Sequence, residues 1–274
     1  MSAEREAMAV ELLVSCMHKD GRALAEKMHI SSPAVIVNQC EEDSEEQFDL
    51  PGGRITAICR NERGVGRSRN LALERAGEAV CVFSDEDIVY EPDYAEKIQA
   101  EFDRHPEADG LLFQVDVDPS RRTYRIDSFG RVGRFNCGRY PAYSMAFRRD
   151  RLIAAGVRFS LLFGGGAKYS NGEDSLFLLD CIKAGLKIYK TPVRIGEEIP
   201  RPSTWFTGYH EKFFFDRGVL FHFLYGRLAF LWGFRFTFCK RKVMCREIPW
   251  YKAYALLLRG VREGRKTEAR GIDA

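Results

Sequence analysis

The chain has 274 residues, enough for one large α/β domain with an appendage but too few for two complete domains of ordinary size. With 45% hydrophobic and 30% charged residues it carries enough apolar material to offset its ordering entropy, which excludes a disordered chain. Forty-two Lys and Arg against 39 Asp and Glu leave a formal charge of only +3, far from the basic excess of a dedicated nucleic-acid binder.

In chain order, Val10 to Ser15 is a short apolar run that reads as a strand, and Asp20 to His29 has helical spacing of Ala, Leu and Met. Ala34 to Val37 and Ile55 to Cys59 read as a second and third strand. A polar loop through Gly64 and Gly66 and a helix from Ser68 to Arg75 follow, then a fourth strand from Ala79 to Phe83. A helix from Pro92 to Arg104 and a strand from Gly110 to Val115 come next. Ser144 to Phe147, a Gly164-Gly165-Gly166 loop, a helix from Glu173 to Ala184 and a strand from Leu186 to Tyr189 complete the pattern. Near-continuous apolar strands alternating with helices imply a mostly parallel sheet covered on both faces, which places ligands at the carboxyl ends of the strands.

The eight cysteines show no C-x-x-C pair and no zinc spacing. Several, such as Cys59 and Cys81, sit inside apolar runs as small hydrophobes of a reducing compartment. The N-terminus from Met1 to Glu6 contains acids and lacks the apolar core of a signal peptide, so the expected location is cytoplasmic.

Three segments carry candidate chemistry. Gly64-Val65-Gly66 follows a strand and precedes acids at Asp85 and Asp87, as a dinucleotide fingerprint does, but Arg69 occupies the third glycine position and a polar loop separates the glycines from the strand. The better reading is a flexible loop with Arg69 offering its charge to a diphosphate or a base. Ser84-Asp85-Glu86-Asp87 lies directly after an apolar strand, where three crowded carboxylates call for a compensating cation. Mg²⁺ or Mn²⁺ prefers carboxylate and phosphate oxygens and would bridge such a D-x-D to a nucleotide diphosphate; the alternative is an acidic turn and a helix start. Gly172-Glu173-Asp174 opens a helix, where acids also interact favourably with the helix dipole.

Taken together and in this order, Val14-Ser15, Val37-Asn38-Gln39, Gly66 through Arg69-Asn70, Ser84 through Asp87, Gly172-Glu173-Asp174 and Ser203-Thr204-Trp205 resemble the family 2 glycosyltransferases of the GT-A fold, over roughly residues 10 to 210. The resemblance implies a GT-A fold with a mostly parallel central sheet and helices on both faces. It also implies transfer of a sugar from a nucleoside-diphosphate donor to an acceptor hydroxyl, with inversion and a divalent metal, in cell-surface polysaccharide or glycolipid assembly. It assigns Ser15 and Asn38 to the nucleobase and ribose pocket, Arg69 to the base or diphosphate, Asp85 to the ribose or metal, and Asp87 to the metal. Asp174 becomes the catalytic base, Glu173 orients the acceptor and Trp205 stacks on it. A UDP-sugar is the favoured donor, but Asn38 stands where the family often has an acid that would read uracil, which leaves GDP and dTDP donors open. Ser203-Thr204-Trp205 replaces the longer aromatic motif of processive synthases, which favours single-sugar transfer to a glycan or lipid-linked acceptor.

The alternatives are a sugar nucleotidylyltransferase, for which Ser15 to Asp20 lacks the glycine-rich basic signature, and an inactive nucleotide-binding domain, against which the intact Asp85, Asp87 and Asp174 argue. His210 reads either as a further metal ligand or as a surface histidine. Residues 8–207 thus form the expected catalytic domain and 208–274 an amphipathic, basic helical region. Val219 to Phe238 is about a membrane span long, but His222, Arg227 and Arg235 interrupt it. With the basic Lys240 to Lys242 and Arg246 beyond, the pattern suits a helix lying peripherally on an anionic membrane surface, or helices packed on the domain or on a second subunit.

Overall fold

The apolar runs near the start pair as parallel strands because the segment that joins each to the next returns the chain to the same end of the sheet. In the computed structural model, which describes residues 9–119, 122, 124–200 and 208–267, β1 (Val10–Met17), α1 (Gly21–Lys27) and β2 (Ala34–Gln39) form the first such unit. The acidic β3 (Ser44–Leu50) turns back through β4 (Gly53–Arg60) as an antiparallel edge hairpin. Next come α2 (Val65–Arg75), β5 (Val80–Asp85), β6 (Ile88–Tyr90), α3 (Tyr94–Arg104), β7 (Gly110–Asp116) and β8 (Gly130–Arg131). The sheet region ends with β9 (Met145–Arg148), α4 (Arg149–Ala154), α5 (Glu173–Lys183) and β10 (Ile188–Glu198).

The strands lie in the order β3-β4-β2-β1-β5-β9-β7-β10-β6, with β8 on β10. β4, β2, β1 and β5 run parallel, and β9 enters antiparallel between β5 and β7. From β1 the chain first winds to one side, through β2 and β4, and then crosses by α2 to β5 on the other side. The crevice between the ends of β1 and β5 is therefore the topological switch point, where open α/β sheets bind ligands. In the register there, Ser15 stands beside Asp85 and Cys16 beside Asn38.

Two apolar cores cover the sheet. Leu12, Val14, Ile36 and Val82 point to α1 and α3, while Leu13, Val35, Val37 and Phe83 point to α2 and α5, the period-2 alternation of a sheet buried on both faces. The expected strand at Leu186 to Tyr189 is instead the start of β10, which continues to Glu198 with a register break between Lys190 and Arg194, where Pro192 cannot donate to the ladder.

Beyond the sheet, α6 (Glu211–Tyr225), α7 (Ala229–Cys239), α8 (Arg241–Met244) and α9 (Trp250–Lys266) form a helical appendage around Phe221, Ala229, Leu257 and Val261. The apolar run Val219 to Phe238 is split by a turn at Gly226–Leu228, and no helix among the described residues is long and apolar enough to cross a membrane. His210 is the N-cap of α6, its Nδ1 accepting from the Phe213 N–H at 3.3 Å.

Candidate active site

The helix α2 begins at Val65, three residues earlier than the sequence suggests, so Gly66 is not part of a flexible loop. It is a close-approach position: a Cβ there would lie 2.5 Å from the Ser160 carbonyl oxygen. The earlier start turns Arg69 inward. The residue is only 3% exposed, and its guanidinium meets three carboxylates. Nη2 donates to Asp85 Oδ1 at 3.0 Å, while Nη1 donates to Asp174 Oδ1 at 2.7 Å and Glu173 Oε1 at 3.2 Å. The guanidinium also lies 5.1 Å from the centroid of Phe159, and the neighbouring Asn70 brackets the Phe159 backbone with two hydrogen bonds of 2.8 and 3.0 Å. Expected against a base or diphosphate, Arg69 is instead the shared counterion that ties the acidic end of β5 to the start of α5.

This arrangement controls the charges. Burial pulls the Arg69 guanidinium down, but Asp174, Asp85 and Glu173 more than offset it and hold the group cationic. Burial pushes the Asp174 carboxyl up to about 7, helped by Glu173 and Asp85, while Arg69 and the Ala142 N–H act in the opposite direction. Tyr143, absent from the sequence reading, joins this field: burial raises its hydroxyl, with Asp85 and Asp174 among the contributing charges. No local signal marks Tyr143, because it reaches the site only through the irregular segment ahead of β9.

The position of α5 depends on Gly172. Its φ of +116° is costly for any residue with a side chain, and a Cβ there would lie 2.5 Å from Leu220 of α6. The same loop is held from α6 by Asp216, which accepts from the Ser170 N–H at 2.9 Å, and by Arg217, which donates to Asn171 Oδ1 at 2.9 Å. The appendage thus braces the Glu173-Asp174 pair.

At the crevice, Asn38 is buried with both amide ends engaged: Oδ1 accepts from the Lys19 N–H at 3.2 Å and Nδ2 donates to the Lys19 carbonyl at 2.5 Å. Asn38 therefore shapes the loop after β1. Its neighbour Gln39, also unassigned by the sequence reading, accepts from the Gly64 N–H at 2.8 Å and holds the entrance to α2. Ser15 Oγ is buried with no hydrogen-bond partner, beside Asp85 in the sheet register. Trp205 lies outside the described residues.

The acidic turn does not concentrate three carboxylates on one point. Glu86 turns away, accepting from the Met17 N–H at 2.9 Å and pairing with Lys19 at 3.8 Å. Cations of the chain itself thus lie against this turn, Arg69 at Asp85 and Lys19 at Glu86. Among the described residues no group of three His, Cys, Asp or Glu could hold a metal ion. Asp85, partly open with 27% of its side chain exposed, and the adjacent Asp87 form a two-carboxylate donor set. That set fits Mg²⁺ or Mn²⁺ completed by diphosphate oxygens and water, and does not form an all-protein cage.

Residues 35–159, covering β2 through the end of the α4 region, match the family described as glycosyl transferase family 2. The match bears out the resemblance to family 2 glycosyltransferases. The fold is the GT-A arrangement that the resemblance implied, and solved structures agree. S. aureus TarS residues 1–349 in complex with UDP-GlcNAc superpose with a TM-score of 0.62 at 15% identity, over 93% of this chain and 82% of that one. The same protein in complex with UDP gives 0.59 at 15% identity with the same coverage. S. aureus TarS described without a residue range also gives 0.59 at 15% identity, over 93% of this chain and 49% of that one. No curated protein sequence matches the chain. At this identity the likeness concerns the fold, and within it the Asp85, Glu173 and Asp174 carboxylates lie around one buried guanidinium at a sheet switch point.

Proposed function

We propose that the chain transfers a single sugar from a UDP-sugar to a hydroxyl of a glycan or lipid-linked acceptor, with inversion at the anomeric carbon, in cell-surface polysaccharide or glycolipid assembly. The observation that carries this reading is the Asp174 carboxyl, raised to about 7 and held 2.7 Å from Arg69, on the same guanidinium as Asp85 of the strand-end acidic turn. A base with such a pKa is half ionised near neutrality and strong enough to take a proton from a hydroxyl that is becoming a nucleophile. Inversion is a direct displacement. The acceptor oxygen attacks the anomeric carbon as the bond to the diphosphate breaks, its proton passes to Asp174, and no second nucleophilic carboxylate is needed.

Glu173, tied to the same Nη1 of Arg69, stays beside Asp174 and orients the acceptor. Ser15 and the loop held by Asn38 line the nucleoside end of the crevice. Asp85 and Asp87 would hold Mg²⁺ or Mn²⁺ against the donor, where the cation supplies charge stabilisation to the departing diphosphate. The choice of UDP rests on the complexes of S. aureus TarS with UDP-GlcNAc and UDP.

The test uses UDP-GlcNAc as the probe donor. A rise in melting temperature with UDP-GlcNAc and Mn²⁺, and slow UDP release in their presence, are expected. Asp174→Asn keeps the shape but removes the basicity, and should lower UDP release at least ~100-fold while leaving UDP affinity unchanged. Near-normal release by the variant would return Asp174 to the ordinary role of an acid at a helix start.

A further inference from the structure

The helix α7 is inside out. Its small residues Ala229, Gly233 and Thr237, one turn apart, form the buried side, and a Cβ on Gly233 would lie 2.4 Å from Leu257 of α9. Four of its large apolar residues face solvent instead, with Phe230 48%, Leu231 53%, Phe234 45% and Phe238 40% exposed, while Trp232 and Phe236 pack partly inward. Trp250 packs edge-on against Phe234 and Phe238, extending the apolar surface onto α9. A monomer gains nothing from presenting such a face to water, since each ring left exposed forgoes its transfer free energy.

The charges around it are of one sign. Between residues 226 and 256 there are seven Lys and Arg and a single acid, Glu247. Arg235 lies within the exposed face, Arg241 stacks 4.2 Å from the Phe238 ring centroid, and Lys240 and Lys242 flank the helix end. A two-fold contact with a second copy would press this basic face against itself, an unfavourable juxtaposition. An anionic bilayer meets both features at once: rings enter the acyl boundary, and Lys and Arg reach the headgroups. At 1.5 Å per residue the 11-residue α7 is only about 16 Å long, roughly half the hydrocarbon thickness, so it can lie in the interface but not span it.

We propose that the outer face of α7, continued by Trp250 of α9, docks on an anionic membrane surface through its phenylalanine rings and surrounding cations. The inference stands on this surface alone and does not depend on the transfer reaction. It does have a consequence for that reaction, because α6 of the same appendage holds Ser170 and Asn171 beside the Glu173-Asp174 pair. Docking would set the candidate active site at a defined place relative to the bilayer.

Full-length protein should co-sediment with vesicles of phosphatidylcholine containing phosphatidylglycerol and not with phosphatidylcholine alone. It should be released in about 1 M salt, where screening shortens to about 3 Å. Lys240→Glu with Lys242→Glu, both at the surface, should weaken partitioning at least ~25-fold, from about fivefold per cation removed. Phe234→Ser with Phe238→Ser should abolish it at unchanged lipid charge. Both variants should keep the wild-type UDP affinity, which separates loss of docking from loss of fold or of donor binding. Equal binding to neutral vesicles, binding to neither, or a dimer dispersed by Phe234→Ser with Phe238→Ser would overturn the proposal.

Discussion

Replacing Arg69 by Met keeps an unbranched apolar stem but removes the guanidinium that lies over Phe159 and within 3.2 Å of Asp85, Glu173 and Asp174. The Asp174 carboxyl titrates at about 7 even with that cation beside it. An opposite charge at this range lowers a carboxyl by about one to three pH units, so its loss should carry Asp174 to roughly 9. At pH 7 the ionised fraction then falls from about one half to about one hundredth, and turnover limited by that base should drop about 50-fold. The assay is the pH dependence of UDP release. The wild-type rate should climb through pH 7, and the variant should climb about two pH units later and recover much of the loss in alkali. A buried ion cluster stripped of one partner also loses about 3–5 kcal/mol, measurable by denaturant unfolding. The sign follows from the raised Asp174 carboxyl: the variant should be most stable in acid, where Asp174 is protonated, and lose stability as the pH rises through its folded-state pKa. A uniform fall in rate with no displacement of the pH limb would refute the role of Arg69 as the group that sets the basicity of Asp174.

Other perturbations probe the remaining parts of the site. Asp87→Ala should weaken UDP-GlcNAc binding roughly tenfold or more in Mn²⁺ and leave it unchanged in chelator, as read by calorimetry; equal affinities in both conditions would dismiss Asp87 as a metal ligand. Gly172→Ala places a side chain on a left-handed backbone and against Leu220, and should cost about 2 kcal/mol in denaturant unfolding while lowering turnover more than donor affinity. Wild-type stability carries its own pH signature. Because the Asp174 carboxyl is raised above its ordinary value, its contribution to stability should be full below about pH 4 and lost as the pH rises through about 7, read as a declining melting temperature over that window.

Much of the architecture was legible locally. Parallel strands buried on both faces must be apolar along their whole length, so β1, β2, β4 and β5 stand out from the chain, and the acids at 85, 87, 173 and 174 are readable as strand-end and helix-start residues. Edge strand β3 was not legible. Ser44-Glu45-Glu46-Gln47 looks like a solvated loop, because a strand at a sheet edge gains from charge what an inner strand gains from burial. β10 was read only in its first residues, since Pro192 interrupts the pattern that its pairing with β7 resumes.

What the sequence by itself determined, then, is which segments must be buried and which side chains are candidates for acid, base or metal chemistry, since hydrophobic period and residue type are local properties. Two decisions belonged to the tertiary structure. Arg69 lies 16 residues from Asp85 and 105 from Asp174, and only the crossing of α2 from β4 to β5 brings the three together. A guanidinium that reads as a ligand for an incoming diphosphate is thereby already committed to three carboxylates, because leaving it unpaired after burial would cost several kcal/mol. The second decision concerns α7, where both sides of the helix carry apolar residues. The close approach of α9 selects Ala229, Gly233 and Thr237 for the interior, since only small side chains fit there, and leaves Phe230, Phe234 and Phe238 to face outward.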